Sequence, residues 1–156
     1  MDASLLTRLQ NEAISLFPAT LLPNHVWQTK CNFALQYIAN GLGCHDLNGL
    51  NATDMVLHAI EWSKESSKNW NTGDWSKGVD CAKLGGLAFL GIITPSSQPH
   101  GHVASIAVKP MQMSPSWGIL VPWVANIGIP PNTFKLASAA FLLAQRPILR
   151  CFWKNM

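Results

Sequence analysis

The chain reads as an α+β protein. Helical periodicity dominates its first half, short apolar or alternating runs bounded by Gly and Pro dominate its second half, and no repeat or linker divides the two. With 156 residues it is long enough for one domain, residues 1–156, with a buried core.

The first helix is expected over 3–17. Leu5, Leu6, Leu9, Ala13, Ile14 and Phe17 fall on one side, with Asp2 or Ser4 as cap. Pro18 and Pro23 bracket a loop that leads to Trp27. A second helix starts close to Cys31, with Phe33, Ala34, Tyr37, Ile38 and Leu42 as its apolar stripe, Thr29 as cap, and Gly41 or Gly43 as its stop. A third is expected over 53–64, capped by Thr53, with Met55, Val56, Ala59, Ile60 and Trp62 inward. The polar segment 63–78, around Trp70 and Trp75, reads as a loop-rich surface excursion, and a short helix is expected over 79–84.

Strands follow. The apolar run 87–93, between Gly86 and Pro95, suits a buried strand, and 95–101 is turn chemistry. Over 102–108 the chain alternates, with His102, Ala104, Ile106 and Val108 on one face and Val103, Ser105 and Ala107 on the other. A third strand is expected over 117–127, broken at Pro122, and Pro130-Pro131-Asn132 is a turn. Residues 137–144 suit helix or strand, and 148–153 an edge strand.

Composition narrows the function classes. Hydrophobic residues make up 48% and charged residues 12%, which argues against disorder. The net charge of +3 is scattered rather than gathered in a basic stripe, so a nucleic-acid partner is not expected. The longest apolar stretch, 84–93, carries three glycines and is too short to span a membrane. Met1-Asp2-Ala3-Ser4 has no basic leader region, so the expectation is a cytoplasmic protein or one exported without a cleavable signal.

The four cysteines, at 31, 44, 81 and 151, lack zinc-ligand spacing, and no metal or cofactor is expected. Cys44 and Cys81 are one conceivable disulfide; three buried small hydrophobes is the other reading. Cys31 stands apart. In the first turn of a helix, unpaired backbone N–H groups and the helix dipole favour an anion, and a thiol attacks an amide only as thiolate. His102, on a later strand, is the candidate base; His100 is a rival in a turn. Asn126 on the following strand is the candidate group to hold the imidazole tautomer, with Asp80 a charged alternative. Gln28 is a candidate oxyanion donor. Trp27, Trp70, Trp75, Trp117 and Trp123 are candidates for a substrate groove, while His25, His45 and His58 share no ligand spacing.

Several segments resemble a known group. Lys30-Cys31-Asn32-Phe33, followed by a helix and Gly41-Leu42-Gly43, is similar to the nucleophile motif of NlpC/P60 and CHAP-type peptidoglycan peptidases. Ala52-Thr53-Asp54-Met55-Val56 resembles their next helix. Leu87-Ala88-Phe89-Leu90-Gly91 with Gly101-His102-Val103-Ala104-Ser105-Ile106 resembles their two central strands, and Val124-Ala125-Asn126-Ile127-Gly128 the segment after them. The likeness spans roughly residues 27–128 and is greatest to small amidase effectors delivered by type VI secretion. It implies a papain-like fold and a Cys31–His102–Asn126 site that cleaves amide bonds in stem peptides without metal or cofactor. It also implies a monomer that leaves the cytoplasm without a cleavable signal and acts in the target-cell periplasm, met there by a cognate immunity protein. Deamidase, transglutaminase or acyltransferase chemistry on a protein, a phage-type lysin, and a binding module that lost its chemistry remain open alternatives.

Overall fold

In the computed structural model, residues 2–25, 27–94, 101–128 and 130–156 are described, Trp27 by its backbone alone. His100 and the expected turn before Gly101 lie outside these residues. Five α-helices are described: α1 (Ala3–Leu16), α2 (Cys31–Gly41), α3 (Ala52–Trp62), α4 (Trp75–Lys83) and α5 (Ala137–Ala140). The strands are β1 (Thr20–Leu21), β2 (Trp27–Gln28), β3 (Trp70–Gly73), β4 (Leu87–Ile92), β5 (His102–Ile106), β6 (Gln112–Met113), β7 (Leu120–Val121), β8 (Trp123–Asn126), β9 (Thr133–Leu136) and β10 (Arg150–Lys154). Six of them form one antiparallel sheet in the order β3-β10-β4-β5-β8-β9, and β1-β2 and β6-β7 are separate ribbons. The fold class is α+β.

Caps set where the helices begin. Asp2, not Ser4, opens α1 by accepting from the Ser4 N–H at 2.8 Å. Leu6, Leu9 and Ala13 turn inward, and the buried Gln10 donates to Ser105 Oγ and to the Ile106 carbonyl, both at 2.8 Å, tying α1 to β5. The cap position of α2 is Lys30, with no side-chain capping bond, so Thr29 does not cap this helix. The buried side of α2 is Cys31, Ala34, Leu35, Ile38 and Ala39, and Phe33, expected inside, is exposed. Gly41 ends the helix and Gly43 takes the left-handed turn at φ 81°. α3 starts before Thr53 because Asn51 accepts from the Asp54 N–H at 2.9 Å, and α4 starts well before residue 79 because Asp74 accepts from Ser76 at 2.7 Å. Asp80 therefore sits inside α4 rather than at its start.

α3 and α4 pack on opposite faces of the sheet. A Cβ on Gly91 would meet Val56 of α3 and Val103, whereas a Cβ on Gly78 of α4 would meet Cys151, Ile106 and Ala88. Alternation along β4 and β5 thus sends successive side chains to different helices, as the sequence pattern over 102–108 requires. α1 and α2 pair with each other and reach β8 and β5 respectively.

Two strand expectations fail for one reason. Residues 63–78 are not a loop excursion: they contain a short 3-10 helix at Ser66–Lys68, strand β3 and the start of α4. An edge strand pairs on one side only, so β3 needs no continuous apolar run, and Asn71 and Thr72 hide it in the pattern. With β3 outside it, β10 is second in the sheet rather than at its edge, and its Cys151 and Phe152 are buried. No strand is expected over 133–136 either, yet β9 forms the opposite edge, paired only with β8. Pro122 separates β7 from β8. The segment 137–144 resolves into the single turn of α5 and the start of a 3-10 helix, Leu143–Ile148.

Trp70 belongs to the core, not to a substrate groove. It is 3% exposed, stacks on Trp62 at 5.8 Å and meets Phe89 edge-on at 5.9 Å. Phe89 in turn lies 5.2 Å from Phe152. The Trp70 indole N–H donates to Asp46 at 2.8 Å, and Lys154 pairs with the same carboxylate at 2.5 Å. Trp70→Ala is expected to cost about 3–5 kcal/mol of folding stability, read from urea unfolding; an unchanged midpoint would contradict this placement.

Candidate functional site

Three chain segments converge on one point. Cys31 is the first residue of α2, His102 the first of β5 and Asn126 the last of β8, the strand beside β5. His102 Nε2 lies 3.0 Å from Asn126 Oδ1. An amide oxygen only accepts, so Nε2 carries the hydrogen and donates, which leaves Nδ1 as the nitrogen available to the thiol. The Cys31 side chain hydrogen-bonds to His102.

Two glycines allow this closeness. A Cβ on Gly101 would stand 2.7 Å from the Ile92 carbonyl oxygen and 2.8 Å from Thr53 Oγ1, so only glycine lets β5 start this close to α3. A Cβ on Gly128 would stand 3.4 Å from His102 Cε1 and 3.7 Å from both amide atoms of Asn126, ordinary contact distances, so this residue lies directly against the pair. Phe141, 3% exposed, covers the imidazole with ring centroids 4.9 Å apart. It follows directly on α5, whose backbone it still bonds through Phe141 N–H to Ala137 O at 2.9 Å.

Burial opposes charge on both members of the pair, and their contact overrides it. For Cys31, burial pushes the thiol up, but the His102 hydrogen bond and charge, the Val103 N–H and the Thr29 hydroxyl outweigh it and hold it below the ordinary thiol range. For His102, burial pushes the imidazole down, while the bonds to Cys31 and Asn126 and the Cys31 charge outweigh it, leaving it above the ordinary range. Their contact thus shifts both groups toward the thiolate–imidazolium form, the direction that would suit a nucleophile paired with a proton donor.

The other cysteines differ. All four are free and buried, so Cys44 and Cys81 form no disulfide. Burial raises the thiol of Cys44, lifts Cys81 to about 11, and, with the Asp74 charge, lifts Cys151 to about 12. Among the described residues no cluster of three or more His, Cys, Asp or Glu could hold a metal ion. No described helix is long and apolar enough to cross a membrane.

The remaining candidates fall elsewhere. Gln28 is exposed on β2, where its backbone pairs with Thr20. Trp27 shares the β1-β2 ribbon, its side chain outside the described residues. Trp117 is 7% exposed and lies 6.5 Å from Trp75, so it offers little face to a ligand. Lys109 stacks over Trp123 at 4.7 Å. His45 bonds Asn40 at 2.7 Å and His58 stacks on Trp62 at 5.2 Å, both apart from the Cys31 pair. Two groups at the site were not legible in the sequence: the Val103 N–H and the Phe141 ring. Phe141 lies in a stretch with no clear period.

No protein-family model matches the chain, and no curated protein matches it.

Across a pH series, iodoacetamide is expected to alkylate Cys31 at lower pH than Cys44, Cys81 and Cys151, as read by peptide mass spectrometry. The sign follows from the shifts: Cys31 is thiolate below the ordinary thiol range, the others only above it. His102→Ala should move Cys31 labelling to alkaline pH. Equal labelling of all four thiols would refute the pairing.

Proposed function

We propose that the protein is a papain-like cysteine amidase of the NlpC/P60 and CHAP kind that hydrolyses amide bonds in peptidoglycan stem peptides. The observation that carries this reading is the Cys31–His102–Asn126 chain of contacts, built from a helix start, a strand start and the end of the adjacent strand. That order, thiol first on a helix and imidazole later on an antiparallel sheet, supports the papain-like assignment. The resemblance of Lys30-Cys31-Asn32-Phe33 and Gly101-His102-Val103-Ala104 to the motifs of those peptidases supports the substrate.

In the proposed reaction the Cys31 thiolate attacks the peptide carbonyl carbon, and the carbonyl π pair moves onto oxygen. The Cys31 backbone N–H, in the uncapped first turn of α2, is one donor for that oxyanion. The imidazolium then gives its proton to the leaving amine as the C–N bond breaks, producing a thioester and neutral His102. Neutral His102 takes a proton from water, the hydroxide adds to the thioester, and the thiolate leaves with the pair restored. Asn126 holds the ring so that Nδ1 faces the sulfur throughout. The biological setting that fits is an antibacterial effector active in the target-cell periplasm and neutralised in the producer by an immunity protein.

Purified Gram-negative sacculi incubated with wild type should release soluble muropeptides, whose masses identify the cleaved bond. Cys31→Ala should release none while melting as wild type does. His102→Ala should lower the rate about 10²–10⁴-fold, the range for loss of a general acid–base group. Release by Cys31→Ala at the wild-type rate would overturn the nucleophile. Absence of release by wild type, with a mass shift on a protein substrate instead, would replace the hydrolase by a protein-directed transferase or deamidase.

A further inference from the structure

We propose that Phe141 is a positioning residue for His102: its ring walls the imidazole in, so that Nε2–H stays on Asn126 and Nδ1 stays turned toward Cys31. The proposal rests on His102 being the base of the site described above.

The chain around Phe141 otherwise lies at the surface. Among the described residues 137–148 only Ala137 and Phe141 are buried, and the two residues after Phe141, Leu142 and Leu143, are 69% and 59% exposed. An exposed segment thus turns one aromatic ring inward, and that ring meets the imidazole at 4.9 Å between centroids and 50° between planes. His102 is only half-buried, so water reaches it wherever the protein leaves a side open. Water would compete with Asn126 Oδ1 for the hydrogen on Nε2, which now spans 3.0 Å to that oxygen. An apolar ring brings no oxygen to compete. It also obstructs the half-turn of the imidazole about its Cβ–Cγ bond, which would put a carbon where each nitrogen stands.

The cover and the acceptor hang from one support. β8 and β9 pair so that Asn126 lies opposite Thr133 and Trp123 opposite Leu136. Leu136 leads into the single turn of α5, whose first N–H, on Ala137, donates to the Pro122 carbonyl at 2.9 Å. Phe141 closes that turn by donating its own N–H to the Ala137 carbonyl at 2.9 Å, and its backbone becomes extended there, at φ −126° and ψ 144°. One end of the β8–β9 pair therefore supplies the acceptor for His102, and the other end supplies its cover. His102 arrives separately on β5, which pairs with β8 through Ser105–Ala125 and Ile106–Val124. The edge strand β9 gives no side chain to the Cys31–His102–Asn126 contacts; what it delivers to them is the ring.

Solution NMR of protein carrying isotope-labelled histidine tests this without a substrate. In wild type the His102 Nε2 proton should exchange slowly enough with water to be seen near neutral pH, and the imidazole should show cross-relaxation with the Phe141 ring protons. In Phe141→Ala that proton should exchange about tenfold faster, the upper end of what one hydrogen bond contributes net. Phe141→Leu, which keeps an apolar cover, should stay close to wild type. Phe152→Leu, which trims a core ring elsewhere in the sheet, should lower stability and leave the His102 signals in place. Sacculus hydrolysis, followed in parallel, should slow about tenfold in Phe141→Ala as the ring is lost from its working orientation. A folded Phe141→Ala whose exchange overlays that of wild type sinks the proposal. So does a leucine variant no slower than alanine, or a Phe152→Leu that speeds exchange as much. Should Phe141→Ala not fold, wild type decides: an unprotected Nε2 proton, or no cross-relaxation with Phe141, overturns the assignment. Faster exchange in Phe141→Ala with no sacculus hydrolysis by wild type would uphold the positioning role and remove the peptidoglycan reading. Unchanged exchange with intact hydrolysis would do the reverse.

Discussion

A thiolate and an imidazolium are each too costly to bury alone, and the site depends on burying them together. Removing one partner of a buried pair typically costs about 3–5 kcal/mol if the survivor stays charged. A thiol avoids that cost by taking up a proton, so the neighbour decides the direction: beside His102 the Cys31 thiol is held below its ordinary range, and without it burial alone would push that thiol up. Cys44, Cys81 and Cys151 show what the second condition looks like, since burial raises all three. The chain therefore separates its thiols by neighbour rather than by exposure, because all four are buried.

The rest of the fold holds that pair in register. Gly101 lets β5 begin against α3, which fixes the height of His102; Gly128 lies against the His102–Asn126 bond; Phe141 closes over the ring. Each of these excludes water or bulk from a contact that water or bulk would weaken. The other end of the sheet does a different job. There Trp62, Trp70, Phe89 and Phe152 stack through the core, and Asp46 binds both the Trp70 indole and Lys154. That end anchors β10 and β3 and contributes no group to the Cys31–His102–Asn126 contacts.

Much of this was legible from residue order, and the failures have physical causes. The amphipathic stripes of α1 and α3, the alternation of β5 and the break at Pro122 follow from local chemistry, which periodicity reads well. β3 and β9 were missed because edge strands bury one face or less and need no apolar run. β10 was placed at an edge because nothing in Arg150-Cys151-Phe152-Trp153-Lys154 announces that a strand from residues 70–73 will cover it. Trp70 was misread for a related reason: an aromatic in a polar stretch looks like a surface ligand platform until the strand that carries it pairs. At the site, Cys31, His102 and Asn126 have types that chemistry singles out, and the structure brings those three together. Gln28 was favoured by type alone and lies exposed. Phe141 is an ordinary residue type, and only its three-dimensional contact with the His102 ring distinguishes it.

The groups around Cys31 also show what its place at a helix start, rather than within a helix, provides. Inside α2, each backbone N–H would already be bonded to a carbonyl four residues earlier, and only the side chain of His102 would face the sulfur. At the first position the N–H groups of the turn have no helical partner, and β5 approaches closely enough for the Val103 N–H to act on the sulfur. The helix boundary is therefore part of the chemistry. Shifting α2 by one residue would turn Cys31 away from His102 by about 100° and carry the buried face of Ala34, Leu35 and Ile38 with it. The weak cap at Lys30, with no side-chain bond of its own, is consistent with that trade: the first turn is left unsatisfied where a developing anion can use it.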